Sequence, residues 1–277
     1  MNKIYQGERA LVTGASAGLG RAFCEALAAR GADLVITARR GDRLAEIKRT
    51  LEAAHGVSVT AVVADLAQSH APKAIFDVAG APPISIVINN AGFGLPDHYL
   101  AHAWETHQKF ITLMVTSYTH IAHLALPQML ANEKGRILNV ASLAGLIPPA
   151  AGHTLYSASK SFLIQFSQAL DREYGPKGVK VCALCPGLTL TEFHDVNGMR
   201  SAINAVPQFA MMDAEAVADQ GLRALERGQV ACVPGAFNKA VAAFARFAPR
   251  GLSQAILGAQ SQRIRKNSQE PDGTHVA

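Results

Sequence analysis

The sequence predicts an α/β fold, a doubly wound parallel sheet with helices on both faces. Three observations carry that prediction. Short apolar strands alternate with helical stretches as far as Leu184. The first strand runs straight into a glycine-rich turn, Thr13-Gly14-Ala15-Ser16-Ala17-Gly18-Leu19-Gly20, and then a helix. Several later strands end in amides, hydroxyls or glycine, the chemistry expected where such sheets open a ligand crevice at their carboxyl ends.

In chain order, Ala10-Leu11-Val12 is the first strand. The helix after the glycine turn carries Phe23, Ala26, Leu27 and Arg30 at helical spacing, and Gly31 stops it. Glycines in that turn let the backbone approach a pyrophosphate, whose charge would face the helix N-terminus. The spacing is G-x-x-x-G-x-G, which a purely structural βα turn also satisfies. Leu34-Val35-Ile36-Thr37 is the second strand and ends in Ala38-Arg39-Arg40. A carboxylate there would hold an adenosine ribose 2′-hydroxyl, whereas guanidiniums suit a 2′-phosphate. A helix over 44–54 and a strand over 58–63 lead to Asp65-Leu66; a helix over 71–79 and a strand over 84–88 lead to Asn89-Asn90-Ala91-Gly92. These polar ends suit a cofactor crevice or a plain turn. One long helix is expected over 110–129, with Ile111, Val115, Tyr118, Ala122 and Ala125 in step. A strand over 135–140 ends in Ala141-Ser142-Leu143-Ala144-Gly145. After a loop containing Pro148 and Pro149 comes the Tyr156 helix. The strand over 179–184 is broken by Pro186-Gly187, with Thr189, Thr191 and Glu192 beyond.

Composition narrows the function classes. The chain has 277 residues, 49% of them hydrophobic, enough for a large core, and only 17% charged, which points to buried helix faces and oligomer contacts. No apolar run reaches the length of a membrane span, and Met1 to Glu8 is too polar for a signal peptide, so a cytoplasmic location is expected. Cys182 and Cys185 are spaced C-x-x-C but fall in a strand, where core packing is the expected role. His98, His102, His107, His120 and His123 lack clustered carboxylates or cysteines, so no metal site is expected. No basic stretch is interleaved with aromatics, which argues against nucleic acid.

Tyr156-Ser157-Ala158-Ser159-Lys160 carries the chemistry. Residues four apart share a helix face, so Tyr156 and Lys160 project side by side. A free phenol titrates near 10, and a neighbouring ammonium favours the phenolate, bringing an acid–base role into range. Such a pair is common by chance and gains weight only from its context.

Together these residues resemble the short-chain dehydrogenase/reductase family over roughly residues 7 to 230. Thr13-Gly14-x3-Gly18-x-Gly20 resembles its cofactor turn, Asn89-Asn90-Ala91-Gly92 its central strand motif, Tyr156-x-x-x-Lys160 its catalytic pair, and Pro186-Gly187 with Thr191 its cofactor-closing segment; Ser142 stands at its catalytic serine. The resemblance implies a Rossmann-like fold and a single dinucleotide-binding and catalytic domain over residues 1–235. It also implies hydride transfer between nicotinamide and a carbonyl or secondary alcohol. Ser142, Tyr156 and Lys160 would be catalytic. Gly14, Ser16, Gly18, Leu19, Gly20, Asp65, Leu66, Asn90, Ala91, Gly92, Pro186, Gly187, Thr189 and Thr191 would line the cofactor together with Tyr156 and Lys160. The Ala38-Arg39-Arg40 ending resembles the NADP(H)-preferring branch, with Arg39 and Arg40 on the phosphate. A homodimer or homotetramer is implied as well.

Two departures from that family stand out. Met114 takes the place of an asparagine that anchors a relay water, and a thioether cannot donate a hydrogen bond. The interval from Ser142 to Tyr156 is one residue longer than expected. Met114 keeps open a second reading, an NADP(H)-binding sensor or partner subunit with little catalysis. The expected substrate-side segments, 93–100, 143–155 and 188–212, contribute Leu146, Ile147, Phe193, Met199, Phe209, Met211 and Met212, which suit an apolar substrate. Residues 236–277 are expected to form a basic helical extension with a disordered end. Residues 227–269 hold Arg227, Lys239, Arg246, Arg250, Arg263, Arg265 and Lys266 and no acidic residue. Phe237, Val241, Phe244 and Ala248 form an apolar face before Pro249. This extension covers the core or a subunit interface, or else docks to an anionic membrane surface or an acidic carrier.

Overall fold

The computed structural model describes residues 3–95, 97–149, 151–190, 210–249 and Gly251. Its frame is a seven-stranded sheet in the order β3-β2-β1-β4-β5-β6-β9, with every neighbouring pair parallel. The strands are β1 (Arg9–Thr13), β2 (Asp33–Ala38), β3 (Val59–Val63), β4 (Ile86–Asn89), β5 (Gly135–Val140), β6 (Val179–Leu184) and β9 (Ala231–Cys232). The chain enters at β1, winds outward to β3, then returns across β1 to lay down β4 on its other side. That reversal opens a crevice beyond the carboxyl ends of β1 and β4, where sheets of this kind bind ligands. This is the doubly wound α/β architecture expected from the sequence.

Strand alternation builds two cores. On β1, Ala10 and Val12 face one side and Leu11 the other; on β4, Ile86 and Ile88 oppose Val87. The first side packs α1 (Gly18–Ala29), α2 (Gly41–His55) and α7 (Ala214–Glu226), through Phe23, Leu27, Leu44, Ile47, Val217 and Leu222. The second packs α3 (Ala71–Ala79), α4 (Trp104–Ile111), α5 (Ser117–Ala131) and α6 (Thr154–Tyr174), through Ile75, Phe110, Ile121, Met129 and Leu170. Both faces of the sheet are therefore dry, which is why its central strands read as continuous apolar runs.

Two features depart from the sequence reading. Helix α7 and strand β9 extend the alternation beyond Leu184; Val217, Ala218, Gly221, Leu222 and Leu225 are all buried at helical spacing and could have been read as a helix. The long helix expected over 110–129 is instead α4, a π-helical turn over Thr112–Thr116, and α5. A π-turn inserts an extra residue and re-aims the side chains it carries. Met114 lies within it. The small parallel pair β7 (Thr189–Leu190) and β8 (Met212–Asp213) stands apart from the main sheet. The last described helix is α8 (Ala236–Phe247).

The junction before β6 is close-fitting. Gly178 has φ +86°, and an added Cβ would collide with the Glu133 carbonyl oxygen. Gly178→Ala should therefore lower stability by about 2 kcal/mol or more through backbone strain and a clash with a backbone atom. Thermal denaturation should show a melting temperature lower by roughly 4–8 °C. Because the site lies at the other end of the strands, nucleotide affinity at low temperature should match that of the unsubstituted protein.

Candidate active site

The glycine turn is shaped by how closely the backbone approaches itself. Gly14 has φ +68°, and a Cβ there would lie 2.9 Å from both Ala91 Cα and Asn90 Nδ2. A Cβ on Gly20 would collide with the Gly14 carbonyl oxygen. Thr13 Oγ1 accepts from the Asn90 and Ala91 backbone N–H groups at 2.8 and 2.9 Å, and Asn90 Nδ2 donates to Thr13 O at 2.9 Å. Asn90 thus ties the end of β4 to the turn after β1. Helix α1 opens at Gly18, φ +50°, with Ala17 at its cap. Ala17 provides no side-chain cap bond and the first turn carries no acid, so the free N–H groups and positive end of α1 suit a pyrophosphate. Leu19 packs against the first core from this turn.

Arg39 and Arg40 are both exposed at the end of β2. Arg40 Nη2 and Nε reach back across the crevice to Ser16 Oγ at 3.0 and 3.3 Å. This positions a guanidinium over the glycine turn, with Arg39 beside it. Asp65 Oδ1 accepts from Ala67 N at 3.0 Å, fixing the loop after β3, and buried Leu66 accepts from Ser117 Oγ at 2.7 Å through its carbonyl. The crevice is therefore lined by one turn from each of β1, β2, β3 and β4. A close-approach glycine turn, an uncapped helix N-terminus and adjacent guanidiniums are a donor set that fits a phosphorylated dinucleotide.

The proton-transfer groups sit at the ends of β5 and β6. Ser142 caps a single 3₁₀ turn over Leu143–Gly145, its Oγ accepting from Ala144 N at 3.1 Å. Leu143 N donates to Pro186 O at 2.8 Å, which ties the serine turn to the Pro186-Gly187 turn. Gly145 lets this turn press on α6: a Cβ there would come within 2.7 Å of the Lys160 carbonyl carbon, and Ser161 Oγ donates to Gly145 O at 2.8 Å. That contact brings Ser142 to Tyr156, and the two hydroxyls are hydrogen-bonded.

Lys160 is 4% exposed. Its Nζ donates to Val140 O at 2.7 Å and lies 5.6 Å from the Tyr156 ring centroid and 5.9 Å from that of Tyr118. Burial pushes its pKa down from 10.5 to about 7. Burial raises the Tyr156 phenol above its ordinary value, and the Ser142 hydrogen bond opposes that rise. The Lys160 ammonium is bonded to the Val140 carbonyl beside the Tyr156 ring, and the Ser142 hydrogen bond favours the phenolate.

The sequence reading placed Asn89 in the motif without a role. Asn89 is fully buried; its Nδ2 donates to Asn139 Oδ1 at 2.9 Å, and Asn139 Nδ2 donates to Ser167 Oγ on α6 at 2.9 Å. This chain pins α6 to the sheet seven residues beyond Lys160. The signal for it was two asparagines at core positions of adjacent strands. Met114 is fully buried, and its Sδ would lie 3.0 Å from a Cβ on Gly92, so a thioether packs directly under the Asn-Asn-Ala-Gly turn.

Thr189 Oγ1 donates to Gly187 O at 3.3 Å. Leu146, Ile147, Met211 and Met212 are half-buried around the serine turn and the base of the following segment. Phe93 packs edge-to-face on Phe110, centroids 5.4 Å apart, and so belongs to the core. Thr191, Phe193, Met199 and Phe209 lie outside the described residues, as do Arg250, Arg263, Arg265 and Lys266 of the basic tail. Among the described residues no group of three or more His, Cys, Asp or Glu is arranged to hold a metal; His107 stacks on Tyr99, centroids 4.4 Å apart.

Residues 8–200 match the short chain dehydrogenase family, and the chain belongs to it. Members of that family are oxidoreductases that use nicotinamide cofactors. Mouse very-long-chain 3-oxoacyl-CoA reductase is 33% identical over 190 residues, covering 67% of this chain and 61% of that protein. Human 17-beta-hydroxysteroid dehydrogenase type 3 is 35% identical over 183 residues, 65% of this chain and 58% of that one. The chain thus matches about three-fifths of the length of these curated relatives. Among solved structures, a short-chain dehydrogenase from Sphingobium yanoikuyae in complex with NADPH superposes with a TM-score of 0.76 at 28% identity, covering 97% of this chain and 98% of that one. A bulky-bulky ketone specific alcohol dehydrogenase from Comamonas testosteroni gives 0.71 at 28% identity, covering 98% and 97%.

The buried lysine makes stability depend on pH. Its pKa is 10.5 when unfolded and about 7 when folded, so the unfolded chain binds more protons between those values. Stability of the nucleotide-free protein should therefore climb as pH rises from about 7, by at most ~1.4 kcal/mol per pH unit from this group, until at about pH 8 and above the buried thiols Cys24, Cys182 and Cys185, which burial holds protonated, begin to oppose the rise. The desolvation cost is fully present below pH 7. Lys160→Met should flatten that slope and raise the melting temperature at neutral pH, as read by thermal denaturation across buffers.

Proposed function

We propose that this chain is an NADP(H)-dependent reductase of ketones carrying bulky apolar groups, or the reverse alcohol dehydrogenase. The observation that carries the reading is the convergence of Ser142, Tyr156 and Lys160 at the crevice whose other wall presents Arg39, Arg40 and the glycine turn. Its support also includes the NADPH complex of the Sphingobium relative and the 3-oxoacyl, steroid and bulky-ketone descriptions attached to other relatives. Half-buried Ile147 and Met211 suit an apolar skeleton, while Leu146 and Met212 pack against the core.

Bound nicotinamide would supply or accept the hydride. The rest is done by the protein. Tyr156, kept protonated near neutral pH by its raised pKa, donates a proton to the carbonyl oxygen in reduction and takes it back in oxidation. Ser142 would turn its single O–H from the phenol to the developing charge on the substrate oxygen. Lys160, poised near neutrality, shares a helix face with Tyr156 and places an ammonium where a ribose hydroxyl can meet it. Arg39 is open at the rim to a 2′-phosphate, while Arg40 braces Ser16.

Met114 favours a second reading, nucleotide binding with slow turnover, because its buried thioether occupies the place of a relay amide. Met114→Asn discriminates between them. A higher kcat with bulky ketones would mean proton supply limits the unsubstituted protein; an unchanged kcat would mean that another group or open water already carries the proton.

Tyr156→Phe should lower kcat by roughly 10²–10⁴-fold while leaving NADPH binding, measured by fluorescence, intact. A substantial residual rate on an unactivated ketone would remove Tyr156 from the mechanism. Arg39→Ala should raise the KM for NADPH about tenfold, the loss of a charged hydrogen bond, with little change for NADH. Preference of the unsubstituted protein for NADH would overturn the 2′-phosphate assignment.

A further inference from the structure

Helix α8 begins the basic extension, yet its contact with the body of the protein is narrow. Among its described residues only Asn238 is buried, at 3% exposed, while Phe237 and Phe247 are 40% and 79% exposed. A polar residue as the sole buried anchor of this helix calls for a specific partner, since an amide removed from water must be satisfied. Asn238 Nδ2 donates to Pro234 O at 2.9 Å and lies 3.8 Å from Met212 Sδ. Its Oδ1 is aimed at Gly187, where a Cβ would collide with it. Gly235, with φ +81°, turns the chain so that this is reached; a Cβ there would lie 2.7 Å from Met212 Sδ.

The three residues that Asn238 joins hold one structure. Gly187 follows Pro186, whose carbonyl anchors the Ser142 turn through Leu143 N. Met212 N donates to Leu188 O at 3.1 Å and opens β8, which pairs with Thr189–Leu190 of β7. Both ends of the segment between β7 and β8 are thus fastened next to the amide.

We propose that Asn238 is a positioning residue: its amide clamps helix α8 onto the Pro186-Gly187 turn and so sets how that turn closes over bound cofactor. The inference rests on the nucleotide-binding reading above. It assigns the start of the extension a role in cofactor affinity. It also explains why position 187 must lack a Cβ although its φ is not in the left-handed region: the obstacle is the Asn238 side chain.

The test uses the full chain and NADPH, with affinity read by fluorescence titration and turnover by absorbance. Asn238→Ala should raise the Kd and KM for NADPH roughly fivefold to tenfold, the effect of a lost buried contact against the Gly187 turn, with kcat at saturating NADPH near that of the unsubstituted protein. Gly187→Ala should weaken NADPH binding as well. The combination of Gly187→Ala with Asn238→Gly should bind better than Gly187→Ala alone, because removing the amide makes room for the new methyl group. A lower melting temperature with unchanged NADPH affinity in Asn238→Ala would reduce Asn238 to a structural anchor and overturn the proposal. Strictly additive losses in the double variant would overturn it also. If the unsubstituted protein binds neither NADPH nor NADH, the nucleotide reading itself fails and the clamp falls with it; binding by the unsubstituted protein with identical affinity in Asn238→Ala sinks the clamp alone.

Discussion

The buried ammonium of Lys160 is the constraint around which the site is built. A charge removed from water must be compensated, and here the Val140 carbonyl at the end of β5 compensates it directly. That bond fixes α6 against the sheet at one end, and the Asn89, Asn139 and Ser167 chain fixes it two turns later. With α6 held twice, the Tyr156 phenol has little freedom left. Precision at the phenol is thus obtained from interactions made by other residues, which is how a site on a helix is kept rigid.

Close backbone approach is the second requirement. Gly145 brings the serine turn onto α6, Gly14 and Gly20 bring the first turn onto itself and onto β4, and Gly187 meets the C-terminal helix. Each is a place where a methyl group would force two backbone segments or a buried side chain apart. The backbone bond from Leu143 N to Pro186 O then links the proton-donating half of the site with the turn expected to close over the cofactor. The two halves meet beyond the adjacent ends of β5 and β6, while the reversal between β1 and β4 determines where the crevice opens.

Burial acts on both members of the Tyr156 and Lys160 pair. Burial drives the lysine towards neutrality and the tyrosine towards its protonated form, and both shifts come from the same low-polarity surroundings. A protonated phenol is the state a reductase requires before reaction. Met114, packed under Gly92, adds to the dryness of this region.

Much of this was determined by the sequence alone. Alternating apolar strands and helices specify the doubly wound class because period and polarity are local properties. The glycine spacing, the Ala38-Arg39-Arg40 ending and the Tyr156, Lys160 spacing are readable for the same reason: each lies within one turn or one helix face. What depends on residues far apart in the chain was decided only by the tertiary structure. The inward role of Asn89 depends on its register with Asn139, fifty residues away. Whether the ammonium of Lys160 meets the phenol or the Val140 carbonyl depends on how α6 docks on β5. The π-turn that carries Met114, the seventh strand β9 and the meeting of Asn238 with Gly187 likewise arise from packing between distant segments. Local sequence sets which groups are present and which face they share; only the packed fold sets which of them touch, because contact energies between distant segments appear in no local pattern.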